Sequence, residues 1–397
     1  MEISGVENKH SLKILLVANT GWYLYNFRLP LARFLRRQGT EVVLVSPWDA
    51  YVERLQAEGF RWIELQLSRR SVNPLVELLT ILHLTFIYLR ERPSAVHHFT
   101  IKCVLYGTIA AGLSGTKAVV NAVTGLGYIF ISNDLKARIL RPVIRFLYRQ
   151  LLTAKRVRVV FQNMDDLQAF AKGKLIVPDQ TVVIKSSGVD VKRFSPRPSH
   201  PDAIPSPVVL FASRLLGDKG VIEFVQAARI LKTKGYCATF QIAGAPDPGN
   251  PTAISEATLE LWRNEGAVDL LGHTDKIENL IALSTIVVLP SHGGEGVPKI
   301  LIEAGAMGKP LVATDVPGCR DVVNHGENGF LVPVKNARVL ANAIEILLKD
   351  IQLCQAMGAA AREKVLREFD AQDVIRKTAK LYELMGVKLA SNIAANE

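Results

Sequence analysis

At 397 residues the chain exceeds one ordinary core and suits two domains of fewer than about 200 residues each, and its 49% hydrophobic content lets both bury sizeable cores. Four scattered cysteines, Cys103, Cys237, Cys319 and Cys354, with no C-x-x-C, exclude a disulfide scaffold and read as thiols in a reducing cytoplasm. The net charge of +11 belongs to residues 1–190, with 25 Lys/Arg against 14 Asp/Glu, because residues 191–397 hold 23 of each.

The start, MEISGVENKHSLKILLVANT, lacks the basic then apolar order of a cleavable signal. KILLVA (13–18) has the length of a buried strand, and an amphipathic helix pattern follows through Arg37. Between them lies NTGWYLYNFR, in which Asn26 and Arg28 open the helix and either face a ligand or lie exposed. There is no G-x-G-x-x-G, which argues against a nicotinamide site. EVVLVSP (41–47) is the next strand, with a helix pattern through Glu58. The most hydrophobic stretch, residues 75–89, holds Glu77 and His83 and falls short of the roughly 20 residues a membrane span needs.

VHHFTIK places His97, His98 and Lys102 after an apolar stretch. Adjacent histidines on a strand point to opposite faces, so at most one readily reaches a ligand, and each otherwise reads as structural. AVVNAV (118–123) runs into the glycine turn Thr124-Gly125-Leu126-Gly127. Residues 135–158 carry eight Lys/Arg, no acid, and apolar residues at helical spacing. That face attracts an anionic membrane or a nucleic acid, or is simply solvated. RVVF (158–161) and TVVIK (181–185) complete a first set of parallel β/α units, and Asp165–Asp166 read as the start of a solvated helix.

Five prolines, Pro196, Pro198, Pro201, Pro205 and Pro207, mark a linker over residues 191–207. The β/α pattern then restarts with VVLFAS (208–213), TFQIAG (239–244), TIVVLPS (285–291) and PLVAT (310–314). The expected organisation is therefore α/β, with two tandem Rossmann-like doubly wound domains facing a cleft. These are residues 1–190, which bind an acceptor, and residues 208–371, which bind a nucleotide sugar. Residues 372–397 form a helical segment expected to pack back on the first domain.

Ligands of such sheets bind beyond the carboxyl ends of the strands. SRLLGDKG puts Arg214 and Lys219 there, either as phosphate ligands or as surface cations. SHGGEGVPKILIEAGAMGKP follows a strand with three glycines and Pro298 at a helix entry, a setting that favours an anion. Glu303, between Ile302 and Ala304, needs a partner or an exit. A sugar nucleotide accounts for the set, with cations and amides for its phosphates, Glu303 for the ribose diol and Glu295 for the hexose.

Glu295-GVPKILI-Glu303, followed by AGAMGKPLVATDVPGCRDVV and NGFLV, resembles the retaining family 4 glycosyltransferases of the GT-B fold. SRLLGDKG is similar to that family's R-x4-K diphosphate site, and SSGVDVKRFSP to its domain junction; the resemblance is strongest over residues 186–333. It implies catalytic roles for Glu295, Arg214 and Lys219. It implies donor binding by Gly21, Arg214, Lys219, His273, Glu295, Gly296, Val297, Pro298, Lys299 and Glu303, with no metal and no cofactor beyond the co-substrate. Many relatives place a donor-sugar histidine at the turn after AVVNAV; here Thr124 stands in. NTGWYLYNFRLPLA, HHFTIK and TGLGYIF resemble a bacterial subgroup that moves hexoses or N-acetylhexosamines from UDP to polyprenyl-diphosphate-linked saccharides. Asn26, Arg28, His97, His98, Lys102 and Thr124 are its acceptor-side candidates. The basic 135–158 face then fits peripheral docking at the inner face of the cytoplasmic membrane. Nucleic acid is not expected, because aromatics are not interleaved for stacking. An alternative on the same fold is a UDP-N-acetylglucosamine 2-epimerase-like isomerase.

Overall fold

Continuous apolar runs such as KILLV and AVVNAV bury both faces, so they enter parallel sheets covered by helices on each side. The computed structural model describes residues 12–69, 71–125, 130, 135–197, 206–247, 250–294 and 296–389. The chain divides into two compact units. One comprises Met1–Thr124, Ser132–Ile184 and Ile375–Glu397, the other Gly125–Ile131 and Lys185–Val374.

In the first unit the strands are β1 (Lys13–Val17), β2 (Glu41–Ser46), β3 (Arg61–Glu64), β4 (Ala95–Phe99), β5 (Ala118–Val123), β6 (Val157–Phe161) and β7 (Thr181–Val183). They form one parallel sheet in the order β3-β2-β1-β4-β5-β6-β7. The helices are α1 (Leu29–Arg37), α2 (Tyr51–Ala57), α3 (Pro74–Glu91), α4 (Ile101–Ser114), α5 (Leu135–Leu152) and α6 (Met164–Lys172). Right-handed crossovers put α1 and α2 on one face and α3 to α6 on the other. Within that second layer α4 packs against both α3 and α5. Ahead of α1 lie one α turn (Gly21–Tyr23) and one π turn (Leu24–Arg28).

The second unit holds β8 (Val208–Ala212), β9 (Thr239–Ala243), β10 (Asp269–Gly272), β11 (Ile286–Leu289), β12 (Leu311–Thr314) and β13 (Gly329–Val332), parallel in the order β10-β9-β8-β11-β12-β13. Its helices are α7 (Val221–Thr233), α8 (Glu256–Glu265), α9 (Ile277–Leu283), α10 (Lys299–Ala306), α11 (Cys319–Val322), α12 (Ala337–Lys349) and α13 (Ile351–Glu368). The last helix, α14 (Ala371–Leu384), contributes its residues from Ile375 to the first unit. No described helix is long and apolar enough to cross a membrane.

Each sheet reverses its strand order once, between β1 and β4 in the first and between β8 and β11 in the second. The crevice at such a reversal is where an open α/β sheet accepts ligands.

Candidate active site

In the second unit the loops after β8 and β11 meet at that reversal. Gly220 ends the first loop at φ +75, and a Cβ there would stand 1.9 Å from the Pro290 carbonyl oxygen. Only glycine permits that approach. The Asp218 carbonyl then accepts the His292 N–H at 2.8 Å and the Ser291 hydroxyl at 3.3 Å. His292 also meets Glu223, Nε2 to Oε1 at 3.0 Å. These bonds fix the loop carrying Arg214 and Lys219 against Ser291 and His292 just after β11. Gly220→Ala is expected to destabilise the unit by about 2–4 kcal/mol, from left-handed backbone strain plus the carbonyl clash. Denaturant unfolding measures this, and an unchanged midpoint would contradict the stapled-loop reading.

Arg214 is exposed and its Nη1 lies 2.8 Å from Asp247 Oδ2. Lys219 closes a 3-10 turn, Gly217–Lys219, beside it. Gly296, Val297 and Pro298 are buried, and Pro298 caps α10. Glu303 is 7% exposed in the middle of α10, with Lys299 Nζ one turn earlier at 3.6 Å. Burial pushes the Glu303 carboxyl above the ordinary carboxylate value, while the charges of Lys299 and Arg193 pull it partly back. Arg193 itself pairs with Glu278 at 2.9 Å. A carboxylate so enclosed is suited to accept two hydroxyl donors that arrive together, as a ribose diol offers. His273 sits beyond β10, exposed, with Nε2 3.4 Å from Asp275 Oδ1. Glu295 lies outside the described residues.

In the first unit the candidate residues have the following surroundings. Gly21 is buried under Asp49, whose Oδ1 would stand 2.6 Å from a Cβ there and whose Oδ2 takes the Trp22 N–H at 2.9 Å. The Asp49 carboxylate thus packs against the turn that follows β1. Asn26 donates to the Trp22 carbonyl at 3.0 Å inside the π turn, a geometry that helical spacing does not signal. Lys102 spends three N–H bonds on Glu77 (2.8 Å) and the carbonyls of Ser68 (2.8 Å) and Ser71 (2.7 Å), so it ties α4 to the start of α3.

His98 is fully buried, with Nδ1 2.7 Å from Asn121 Oδ1 and Nε2 2.8 Å from the Tyr88 hydroxyl. Burial lowers its pKa to about 4, so it is a neutral core group and not an acceptor contact. His97 faces the other side of β4, also buried, with Nδ1 2.7 Å from the Tyr382 hydroxyl of α14. Its pKa is held well below the ordinary histidine value by burial, by Arg28 and by His98. Arg28 is 7% exposed, neither an exposed helix residue nor a wide-open ligand arm. Its guanidinium lies 4.2 Å from the Phe99 ring centre, and Nη2 donates to Tyr23 Oη at 2.8 Å. Thr124 is half-buried at the end of β5; residues 126–129 of its turn lie outside the described residues.

Sequence reasoning missed His292, Asp247 and Arg193. His292 comes from the loop after β11, Asp247 from the loop after β9 and Arg193 from the segment before β8, and tertiary pairing with Glu223, Arg214 and Glu278 holds each in place.

Two families match the chain: Glycosyl transferase 4-like over residues 13–162 and Glycosyl transferases group 1 over residues 196–364. The N,N'-diacetylbacillosaminyl-diphospho-undecaprenol alpha-1,3-N-acetylgalactosaminyltransferase of Campylobacter jejuni is 30% identical over 94% of this chain and 98% of its own. The capsular polysaccharide biosynthesis glycosyltransferase CapM of Staphylococcus aureus is 25% identical over 89% of this chain and 93% of its own. Among solved structures, HepE of Anabaena in complex with UDP-glucose superposes with a TM-score of 0.76 at 20% identity, covering 94% of this chain and 100% of its own.

Proposed function

This chain belongs to the family 4 glycosyltransferases of the GT-B fold, and we propose that it moves a hexose or N-acetylhexosamine from a UDP-linked donor to a polyprenyl-diphosphate-linked saccharide, with retention and without a metal. The observation that carries the donor half is the enclosed Glu303 on α10, beside a loop pair that presents Arg214 and Lys219. The acceptor half is supported by the lipid-linked substrate in the name of the Campylobacter relative. The epimerase alternative loses its ground because the relatives named above are transferases.

On this reading Glu303 accepts both ribose hydroxyls. The donor diphosphate draws Arg214 from Asp247 and takes Lys219 as a second cation, and Glu295 orients the hexose. In a front-face displacement the bond from the anomeric carbon to the diphosphate oxygen breaks, and one to the acceptor oxygen forms on the same face. The acceptor hydroxyl's proton passes to the departing phosphate oxygen. The cations stabilise the charge that grows there.

Calorimetric titration with UDP, GDP and ADP is the first test, with UDP expected to bind tightest. Binding of none of the three sinks the donor assignment. Transfer should persist in EDTA, and loss that added magnesium restores would refute metal independence.

Two surfaces of the first unit favour action at an anionic membrane. On α3, Leu75, Leu79, Leu82, Phe86 and Leu89 form an outward apolar stripe, 71, 64, 51, 60 and 53% exposed. On α5, Ile139, Val143 and Phe146 are exposed among Arg138, Arg145 and Arg149. Both helices lie in the layer that α4 bridges. Exposed apolar stripes of this size mark interaction surfaces, and the basic neighbour selects anionic headgroups.

A further inference from the structure

The donor reading leaves the strand reversal of the first sheet unused, and that reversal holds an unpaired buried cation. Arg28 ends the π turn after β1, and His97 and Phe99 lie on one face of β4, the adjacent strand. Both Arg28 and His97 pack on Phe99, the guanidinium at 4.2 Å and the imidazole at 4.1 Å from its ring centre. Among the described residues no carboxylate pairs with Arg28.

Two buried nitrogens there have no partner, Arg28 Nε and His97 Nε2. Arg28 Nε carries a hydrogen at every accessible pH. With the Tyr382 hydroxyl donating to Nδ1, the neutral His97 ring carries its hydrogen on Nε2 and presents a second donor. A buried guanidinium lacking a counter-charge and two idle donors is costly unless something fills the place. The next residue after Phe99 adds a strained backbone. Thr100 stands at φ +75, ψ 150, a region costly for a branched side chain and characteristic of ligand sites.

We infer that Arg28 and His97, at the carboxyl ends of β1 and β4, form a phosphate seat within the first unit, suited to the diphosphate of the acceptor. The phosphate supplies the missing negative charge, and its oxygens accept from Arg28 Nε and His97 Nε2. Tyr382 holds the imidazole tautomer, which makes α14 part of the seat. The assignment to the acceptor rests on the lipid-linked reading above; the seat for phosphate does not.

The test is calorimetry on the full chain saturated with UDP, which fills the donor site. Inorganic pyrophosphate should then give a further binding event. Arg28→Gln should weaken it at least tenfold with UDP affinity unchanged, and Arg28→Lys, which keeps the charge but not the fork, should weaken it less. If Arg28→Gln does not fold, Arg28→Lys and His97→Gln decide, each expected to lower pyrophosphate affinity. No second event in the wild type, or equal binding by all variants, overturns the seat. Farnesyl diphosphate competing with pyrophosphate in an Arg28-dependent way supports the acceptor assignment; pyrophosphate binding without that competition overturns it. In transfer assays Arg28→Gln should raise the acceptor KM at least tenfold and leave the donor KM unchanged. A shift in the donor KM alone overturns the acceptor role.

Discussion

Glu303→Gln is expected to weaken UDP binding about a hundredfold while leaving the fold as stable as before or more so. A hydrogen bond to a charged group contributes roughly 1.5–3 kcal/mol, and the amide keeps only one weaker acceptor for a diol that uses two. A loss of about 2.7 kcal/mol is that hundredfold. Stability moves the other way because the native carboxyl is held above its ordinary value by burial. Such a group favours the folded state only while protonated. Wild-type stability therefore falls relative to the glutamine variant as pH rises through the Glu303 pKa. UDP affinity has the opposite dependence. The diol needs the carboxylate, so wild-type affinity should fall about tenfold per pH unit below that pKa and stay flat in the variant. Calorimetry across the acidic range reads both. A glutamine variant that binds UDP like the wild type, with the same pH profile, would remove Glu303 from the ribose.

How much of this the sequence disclosed depended on whether a residue's fate was set locally. The central strands were legible because buried parallel strands are continuous apolar runs: the ends of β1, β5, β8, β11 and β12 fall within two residues of the stretches expected. The strands β3 (RWIE) and β10 (DLLG) lie at sheet edges, carry charges and have no apolar run to mark them. Glu303 was legible because a carboxylate between Ile302 and Ala304 violates a local rule. Arg28 was not, and His98 read as structural without its partners being legible, because their surroundings come from distant chain. His98 is satisfied by Tyr88 and Asn121 from α3 and β5, and Arg28 is covered by Phe99 from β4. The π turn that swings Arg28 inward leaves no mark in residue spacing.

The apolar stretch at residues 75–89, too short to span a bilayer, turns out to be a helix with most of its leucines on the outward side. Thr80, Leu84, Ile87 and Tyr88 take the buried side, and a full second stripe is left outward. A helix of this kind is expected to lie in the headgroup plane with that stripe inserted, while the arginines of α5 meet anionic headgroups. Burying one leucine or phenylalanine side chain contributes about 1.5–3 kcal/mol. Leu79→Gln, Leu82→Gln and Phe86→Gln together should therefore lower partitioning onto phosphatidylglycerol vesicles by more than about a hundredfold. Each arginine near such a surface contributes about 1 kcal/mol, so replacing Arg138, Arg145 and Arg149 by glutamine should lower it by roughly 150-fold. Salt separates the two. Binding that survives in the glutamine variant of α3 should still weaken as salt rises, whereas binding that survives loss of the α5 arginines should respond little. Sedimentation with vesicles measures all of this, and transfer to a short water-soluble prenyl acceptor should be unaffected in every variant. Partitioning that ignores both sets of substitutions would assign these exposed faces to something other than a membrane.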